Sequence, residues 1–251
     1  QFCSDYEDQI RAMGGIGFFL GGIGPDGHIG FNPRGSLMTA PTRLTYTNYE
    51  TEAAAAGDLG GIEVSRHKPV ITIGLGTISH NPDAVVLIFA AGDAKAGVVR
   101  DAVHNKRNVL YPATVLQGMK NSRFLLTTGA TVHLTERRID DIVKAEKIEE
   151  EAVEKAVIDR SLALDKPLHD LEAADIGDDR LLAKILEKTG RDIKETAGWA
   201  RERMLKKIED GLSEVSNETI LHTGPHHDDI MLGYMPYIMH LARNPTNKNY
   251  Y

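Results

Sequence analysis

The sequence predicts an α/β protein with a doubly wound, mainly parallel sheet, followed by a helical linker and the first strand-helix unit of a second α/β domain. Three observations support this class. Short apolar runs alternate with segments of helical spacing over residues 1–135. Residues 84–90 form the most continuous apolar run, which is typical of a central parallel strand. A glycine-rich loop follows the apolar run 16–20, in the position where parallel sheets bind ligands.

Each element of the first part follows from local signals. Ser4 and the acids behind it predict a helix over 4–13, which Gly14 and Gly15 end. The run 16–20 predicts a buried strand, and β-branched residues predict strands elsewhere. The further predicted strands lie at 42–46, 70–78, 84–90 and 123–128, and the further predicted helices at 51–56, 92–104 and 112–119.

The character of the sequence changes after Thr135. Charged residues become dense, and apolar residues keep helical spacing over 136–164, 178–187 and 193–212. A strand is predicted at 218–224, with a helix after it. The predicted division is therefore a domain over 1–135, a helical connector over 136–216 and the start of a second domain over 217–251.

Composition excludes several classes of function. A net charge of −7 argues against a nucleic-acid partner. No apolar run reaches the roughly 18 residues that a membrane span needs, and no signal-peptide pattern is present. Cys3 is the single cysteine, which fits a reducing cytoplasm. Both ends of the chain look like cuts through a longer protein.

The loop 21–32, Gly-Gly-Ile-Gly-Pro-Asp-Gly-His-Ile-Gly-Phe-Asn, is the strongest candidate site. Its glycines let the backbone turn sharply and approach a ligand. Asp26 and His28 are two residues apart, so an extended backbone would place them on the same side. A histidine exchanges protons near neutral pH, and a carboxylate can orient its ring. The pair therefore predicts acid/base chemistry.

This loop resembles the signature of the glucosamine-6-phosphate deaminase/isomerase family, and the match corresponds to the C-terminal half of that domain. The segments Thr42-Arg43 and Gly74-Leu75-Gly76-Thr77 also resemble the family. The resemblance implies a Rossmann-like fold, with His28 as the ring-opening acid/base, Asp26 as its partner, and Gly24 and Asn32 at the substrate.

Two basic residues gain roles from the same resemblance. Lys95 opens a predicted helix after the central strand, where a cation and free N–H groups can hold a phosphate. The family has a phosphate-binding lysine in this pattern. Arg43 matches an arginine at a regulatory phosphosugar site, although an ordinary surface arginine is an equal alternative.

The sequence also departs from the family pattern. A glutamate normally follows Phe-Asn and completes the relay around the histidine, whereas Pro33 stands here. The proton-shuttling Asp and a phosphate loop of the family would precede residue 1, so the 251 residues alone are expected to be inactive. Two alternatives stay open: a lactonase-like hydrolase with the same loop, or a non-catalytic sugar-phosphate binding module.

A second resemblance lies near the end of the chain. Pro225-His226-His227-Asp228-Asp229 is similar to the His-Pro-Asp-Asp-Glu motif of the zinc-dependent N-acetylglucosaminyl deacetylases of the LmbE and PIG-L type. That likeness implies His226 and Asp229 as zinc ligands and Asp228 as the base. The competing interpretation is a polar loop with a helix-capping Asp.

The combined prediction is a cytoplasmic amino-sugar enzyme, a glucosamine-6-phosphate deaminase-like hydrolase whose parent converts glucosamine 6-phosphate to fructose 6-phosphate and ammonia. It is expected to be a homo-oligomer, because a free strand edge and apolar surface favour association. No cofactor is predicted for the deaminase-like domain, and zinc is predicted only for a complete deacetylase-like domain.

Overall fold

The chain forms two compact units, Gln1–Glu146 and Lys147–Tyr251. The structure is a computed structural model that describes residues 1–224 and 226–250, without the side chains of residues 58, 59 and 227. Pro225, the first residue of the predicted deacetylase-like motif, lies outside the described residues.

The first unit is built on a three-stranded parallel sheet, which confirms the predicted fold class. Its strands run in the order β1-β4-β5, so the apolar run 84–90 provides the central strand, as predicted. A two-stranded antiparallel sheet joins β2 to β3. The strands of this unit are β1 (Phe18–Gly22), β2 (Arg43–Thr45), β3 (Val70–Thr72), β4 (Val85–Ala90) and β5 (Ser122–Leu126).

Helices cover one face of the parallel sheet. Val86 and Ile88 of β4 are fully buried on this face and belong to the same core as Leu75, Val99 and Leu116. Burial of such side chains is the main stabilising contribution to this unit. The helices are α1 (Phe2–Ala12), α2 (Tyr49–Ala54), α3 (Ala56–Leu59), α4 (Ile62–Ser65), α5 (Leu75–Ile78), α6 (Ala96–His104) and α7 (Thr135–Lys144), with 3₁₀ turns at Asp93–Lys95, Pro112–Gly118 and Gly129–Thr131.

The opposite face of the parallel sheet is exposed, which corrects the prediction of a buried first strand. Phe18 and Leu20 of β1 are each 58% exposed, and Phe89 of β4 is 50% exposed. Among the described residues, β1 is an edge strand of the sheet and pairs only with β4. An apolar run predicts burial only when other elements cover both faces of the strand, and the sequence does not show that cover.

The predicted strand 70–78 divides into strand and helix. Strand β3 ends at Thr72, and α5 begins at Leu75. Between them the backbone of Gly74 packs so closely that a Cβ there would lie 1.8 Å from the carbonyl oxygen of Ala40. Glycine permits this approach, which turns the chain away from the sheet.

The second unit begins with helices, and its α10 matches the predicted helix 193–212. The run 136–164 is not one helix, because residues 145–149 separate α7 from α8. The parallel strands β6 and β7 and the helices between them confirm the predicted strand-helix unit. The elements are α8 (Glu150–Ala163), α9 (Arg180–Thr189), α10 (Ile193–Leu212), β6 (Thr219–Leu221), α11 (His227–Asp229), α12 (Met235–Ala242) and β7 (Lys248–Tyr250), with 3₁₀ turns at Leu168–Asp170 and Ala173–Ile176 and a π-helical turn at Ile230–Tyr234.

Among the described helices, none combines the length and the apolar character that crossing a bilayer would require.

Candidate functional site

The loop after β1 folds back on itself and presents Asp26 and His28 beside the end of the strand. The N–H of Gly24 donates to the carbonyl oxygen of His28 at 2.9 Å, and the N–H of Gly27 donates to that of Gly24 at 3.0 Å. Gly27 has a φ of 84°, in the left-handed region that favours glycine. The loop therefore has a defined conformation set by its own backbone hydrogen bonds.

Gly24 allows the histidine ring to lie directly against the backbone. A Cβ at this position would stand 2.0 Å from Cε1 of His28 and 2.2 Å from its Nε2. Any side chain here would displace the ring. Gly24, predicted as a substrate contact, thus has a visible packing role.

Asp26 and His28 form a buried pair, as their spacing predicts. Nδ1 of His28 lies 2.5 Å from Oδ1 of Asp26, and the two residues are 9% and 2% exposed. Burial would raise the pKa of Asp26, but its hydrogen bond and charge interaction with His28 outweigh burial, with further hydrogen bonds from the N–H of Arg34 and the amide of Asn48. Together they lower the pKa of Asp26 to about 2. Asp26 is therefore a carboxylate at neutral pH.

Two residues at the start of α2 complete the surroundings of this pair, and sequence reasoning missed both. Asn48 donates from Nδ2 to Oδ2 of Asp26 at 2.7 Å, and Thr51 places its Oγ1 3.2 Å from Nδ1 of His28. Asn48 is also the N-cap of α2. The only sequence signal was an asparagine before a helix, which predicts capping but no contact with a loop 20 residues earlier.

Lys95, in the segment that follows β4, contacts the same turn. Its Nζ donates to the carbonyl oxygen of Ile23 at 2.8 Å, and Ile23 directly precedes the glycine that packs on His28. Lys95 lies where a 3₁₀ turn leads into α6. Lys95 and His28 therefore contact two consecutive residues of one turn, Ile23 and Gly24.

An open groove of about 430 Å³ runs along this turn. That volume suits a small ligand. The groove is lined by the exposed edge of β1 and by the loop, namely Phe19, Leu20, Gly21, Gly22, Ile23, Gly24, His28, Gly30 and Phe31.

Asn32 and Arg43 support the loop from within. Asn32 is fully buried, and its Nδ2 donates to the carbonyl oxygens of Ile29 and Ile73, each at 2.8 Å. Arg43 donates from its guanidinium to Oδ1 of Asn32 at 2.6 Å and to Oγ of Ser36 at 2.9 Å. Both amide atoms of Asn32 are thus engaged internally, so its geometry favours holding the loop over contacting a substrate. The regulatory role of Arg43 stays a prediction.

The predicted deacetylase-like residues are held by local hydrogen bonds. Nδ1 of His226 lies 2.5 Å from Oδ1 of Asp228, and Oδ2 of Asp229 accepts from the N–H of His226 at 3.1 Å. Among the described side chains, which leave out those of residues 58, 59 and 227, no group of three His, Cys, Asp or Glu could hold a metal ion. The described donors do not form a zinc centre, and the zinc and deacetylase assignments stay predictions.

Comparison with known proteins gives a relationship over about half of the chain. No family model matches it. A glucosamine-6-phosphate deaminase of Borreliella burgdorferi is 36% identical over 132 residues, which cover 53% of this chain and 48% of that protein. Those of Borrelia hermsii (35% over 145 residues, 57% and 54%) and Drosophila melanogaster (33% over 132 residues, 53% and 48%) are similar. The chain spans about half the length of the curated relatives it matches.

A solved structure aligns over a comparable fraction of the chain. It is a monomeric glucosamine-6-phosphate deaminase, described as a missing link of the NagB superfamily. It is 29% identical, with a TM-score of 0.48, and the alignment covers 52% of this chain and 53% of that one.

These relatives correct the predicted enzyme class. The curated relatives are named as deaminases, so the expectation of a hydrolase is wrong. The sequence resemblance to glucosamine-6-phosphate deaminases is confirmed over that half of the chain.

Proposed function

We propose that the groove beside β1 binds a phosphorylated amino sugar, and that in the whole protein it catalyses the isomerising deamination of glucosamine 6-phosphate to fructose 6-phosphate and ammonia. One observation carries this proposal. The Asp26–His28 pair and Lys95 meet at the turn formed by Ile23 and Gly24: the ring of His28 lines the groove, and Nζ of Lys95 bonds to the carbonyl oxygen of Ile23, another lining residue.

His28 supplies the proton transfer that opens a sugar ring. Its Nδ1 is held by Asp26, while the ring also lines the groove. A histidine so placed can accept the proton of the sugar's anomeric hydroxyl and then deliver it to the ring oxygen as the C–O bond of the sugar ring breaks. The neighbouring carboxylate stabilises the imidazolium that forms in between, as carboxylates do for paired histidines.

Lys95 supplies recognition of the phosphate. One of its three N–H groups bonds to the carbonyl oxygen of Ile23, a residue that lines the groove, and two N–H groups of the ammonium remain for a phosphate. The backbone at the start of α6 adds N–H groups that favour an anion. A sugar with a terminal phosphate can thus be held at Lys95 while its ring lies at His28.

The names of the relatives support this substrate class. A second candidate is a sugar-phosphate binding module without catalytic activity. Pro33 favours it, because proline provides no carboxylate at the position where the family resemblance implies one. Substrate turnover distinguishes the two.

The test uses the whole protein and glucosamine 6-phosphate, with calorimetric binding and an assay of ammonia release. We expect Lys95→Ala to weaken binding roughly ten- to a hundredfold, since it removes a charge-assisted hydrogen bond. Lys120→Ala is the matched control, because Lys120 pairs with Asp83 on the surface and should not affect binding. His28→Ala should retain binding and abolish ammonia release.

The outcomes separate the candidates. Binding with ammonia release supports the deaminase, and binding without it supports the non-catalytic module. An absence of binding, or equal binding by the Lys95 and Lys120 variants, contradicts the site itself.

A further inference from the structure

A closed ring of hydrogen bonds surrounds the Nδ1 side of His28. Asp26 Oδ1 lies 2.5 Å from Nδ1, and Thr51 Oγ1 lies 3.2 Å from it. Asn48 joins the other ends of both residues, because its Nδ2 donates to Asp26 Oδ2 at 2.7 Å and its Oδ1 is 2.6 Å from Thr51 Oγ1. Asp26 and Thr51 are nearly inaccessible to solvent.

The direction of each hydrogen bond in the ring follows from the carboxylate. Asp26 can only accept, so the amide of Asn48 must turn its Nδ2 toward Asp26. Its Oδ1 then faces Thr51 and accepts from both the N–H and the hydroxyl of that residue. The opposite amide orientation would set two acceptor oxygens against each other. The hydroxyl proton of Thr51 is thereby committed to Asn48.

Nδ1 of His28 consequently faces two acceptors. The carboxylate of Asp26 has no proton to give, and the hydroxyl proton of Thr51 points to Asn48. Only a protonated Nδ1 satisfies this arrangement, and in a neutral imidazole the other nitrogen then carries the lone pair. Among the residues that the structure describes, the imidazole of His28 has two hydrogen-bond partners, and both contact its Nδ1.

We infer that Asn48 and Thr51 are positioning residues, which fix the neutral imidazole of His28, a lining residue of the groove, in the tautomer with a hydrogen on Nδ1 and a lone pair on Nε2. They act through His28 and do not contact a substrate. The side chain of Pro33 has no polar group, and Thr51 provides the second polar contact of the His28 imidazole beside Asp26. The catalytic consequence rests on the proposed function, whereas the tautomer does not.

The tautomer is measured without any substrate by two-bond ¹H–¹⁵N correlation spectra of the histidine rings. The signal of His28 is assigned by its loss in His28→Gln. At a pH where the ring is neutral, we expect a protonated Nδ1 and an unprotonated Nε2. A spectrum with the proton on Nε2 would overturn the inference.

Substitutions separate the positioning role from helix capping. Asn48→Ser keeps a good N-cap for α2 but removes the amide that directs the Thr51 proton. Thr51→Val keeps the shape and removes the hydroxyl. We expect each to raise the minor tautomer roughly fivefold, the effect of losing about one hydrogen bond. Thr51→Ser, which keeps the hydroxyl, should restore the original spectrum.

Thr45→Val is the matched control, because the hydroxyl of Thr45 donates to Tyr46 outside this ring of bonds. Unchanged tautomers in both Asn48→Ser and Thr51→Val would contradict the inference. In the ammonia assay these variants should lower kcat and leave KM unchanged. If the deaminase proposal is wrong, the ammonia assay shows no effect of these variants, but the tautomer spectra still change. If the tautomer inference is wrong, the spectra themselves stay unchanged.

Discussion

Glu7 is a buried carboxylate that ties α1 to two distant segments. Its Oε2 accepts from the N–H and hydroxyl of Thr42, at 3.0 and 2.9 Å, and from the hydroxyl of Thr77 at 2.6 Å. Arg11 bonds its other oxygen at 2.8 Å. Burial would raise the pKa of Glu7, but these hydrogen bonds outweigh burial and lower it to about 2.

The lowered pKa of Glu7 predicts a pH-dependent contribution to stability. The folded value lies below the ordinary value of 4.5, so the contribution is fully present above pH 4.5 and is lost as the pH falls toward 2. We expect Glu7→Gln to lower the free energy of unfolding by about 1–3 kcal/mol at pH 7. The difference from the unsubstituted protein should shrink with acidification, as measured by urea unfolding at several pH values.

Asp8→Asn is the control for Glu7→Gln, because Asp8 is an exposed acid on the same helix. Its stability should follow that of the unsubstituted protein at every pH. A Glu7→Gln difference that stayed constant between pH 7 and pH 3 would show that the carboxylate charge is not responsible.

At the residue scale, sequence reasoning succeeds where the partners are neighbours in the chain. Asp26 and His28 lie within one loop, so spacing alone predicts their contact. Glu7 and Thr77, like His28 and Thr51, meet only through the folded chain. Ordinary polar residues that acquire partners in this way have no local signature.

At the element scale, a cluster of charges joins α8 to α10 in the second unit. Glu154 of α8 is 6% exposed at its side chain and accepts from Arg203 at 3.1 Å and from Lys207 at 2.7 Å. Arg203 also pairs with Glu150 and Glu151. The hydrogen bond between Glu154 and Lys207 is the main cause that lowers the pKa of Glu154. The charges are thus satisfied where the two helices pack.

We expect Glu154→Gln to lower the free energy of unfolding of the second unit by about 1–2 kcal/mol, because it leaves two cations facing an amide at a buried position. The fluorescence of Trp199 reports the unfolding of this unit. This residue is the single tryptophan and lies 4.5 Å from the guanidinium of Arg191 and 5.0 Å from that of Arg203. Its fluorescence in urea gives the unfolding midpoint.

The matched control for Glu154→Gln is Glu151→Gln. Glu151 also pairs with Arg203, but its side chain is 74% exposed. Exposed pairs contribute little, so its effect should stay within about 0.5 kcal/mol. Equal losses in the two variants would contradict the importance of burial here.

Helices and strands with a strong hydrophobic pattern can be predicted from the sequence, whereas those whose burial or end depends on tertiary packing cannot. The helix over 193–212 and the central strand 84–90 carry enough local signal to be predicted. The burial of β1 and the end of β3 depend on what packs against them: β1 has an open face, and Gly74 lies against Ala40. Such differences have tertiary causes that a local pattern cannot contain.

At the scale of the molecule, each unit has its own chemistry. The first unit contains the groove at the end of β1, and the second contains the charged helices and the β6–β7 pair. The fold class follows from the alternation of apolar runs and helices. The three-part division at 135 and 216 stays a prediction.

The most direct test of the account is a crystal structure of the protein with glucosamine 6-phosphate. We predict that the sugar lies in the groove beside β1, with its phosphate at Nζ of Lys95 and its ring oxygen within hydrogen-bond distance of Nε2 of His28. Sugar bound elsewhere, or a phosphate away from Lys95, would contradict the account.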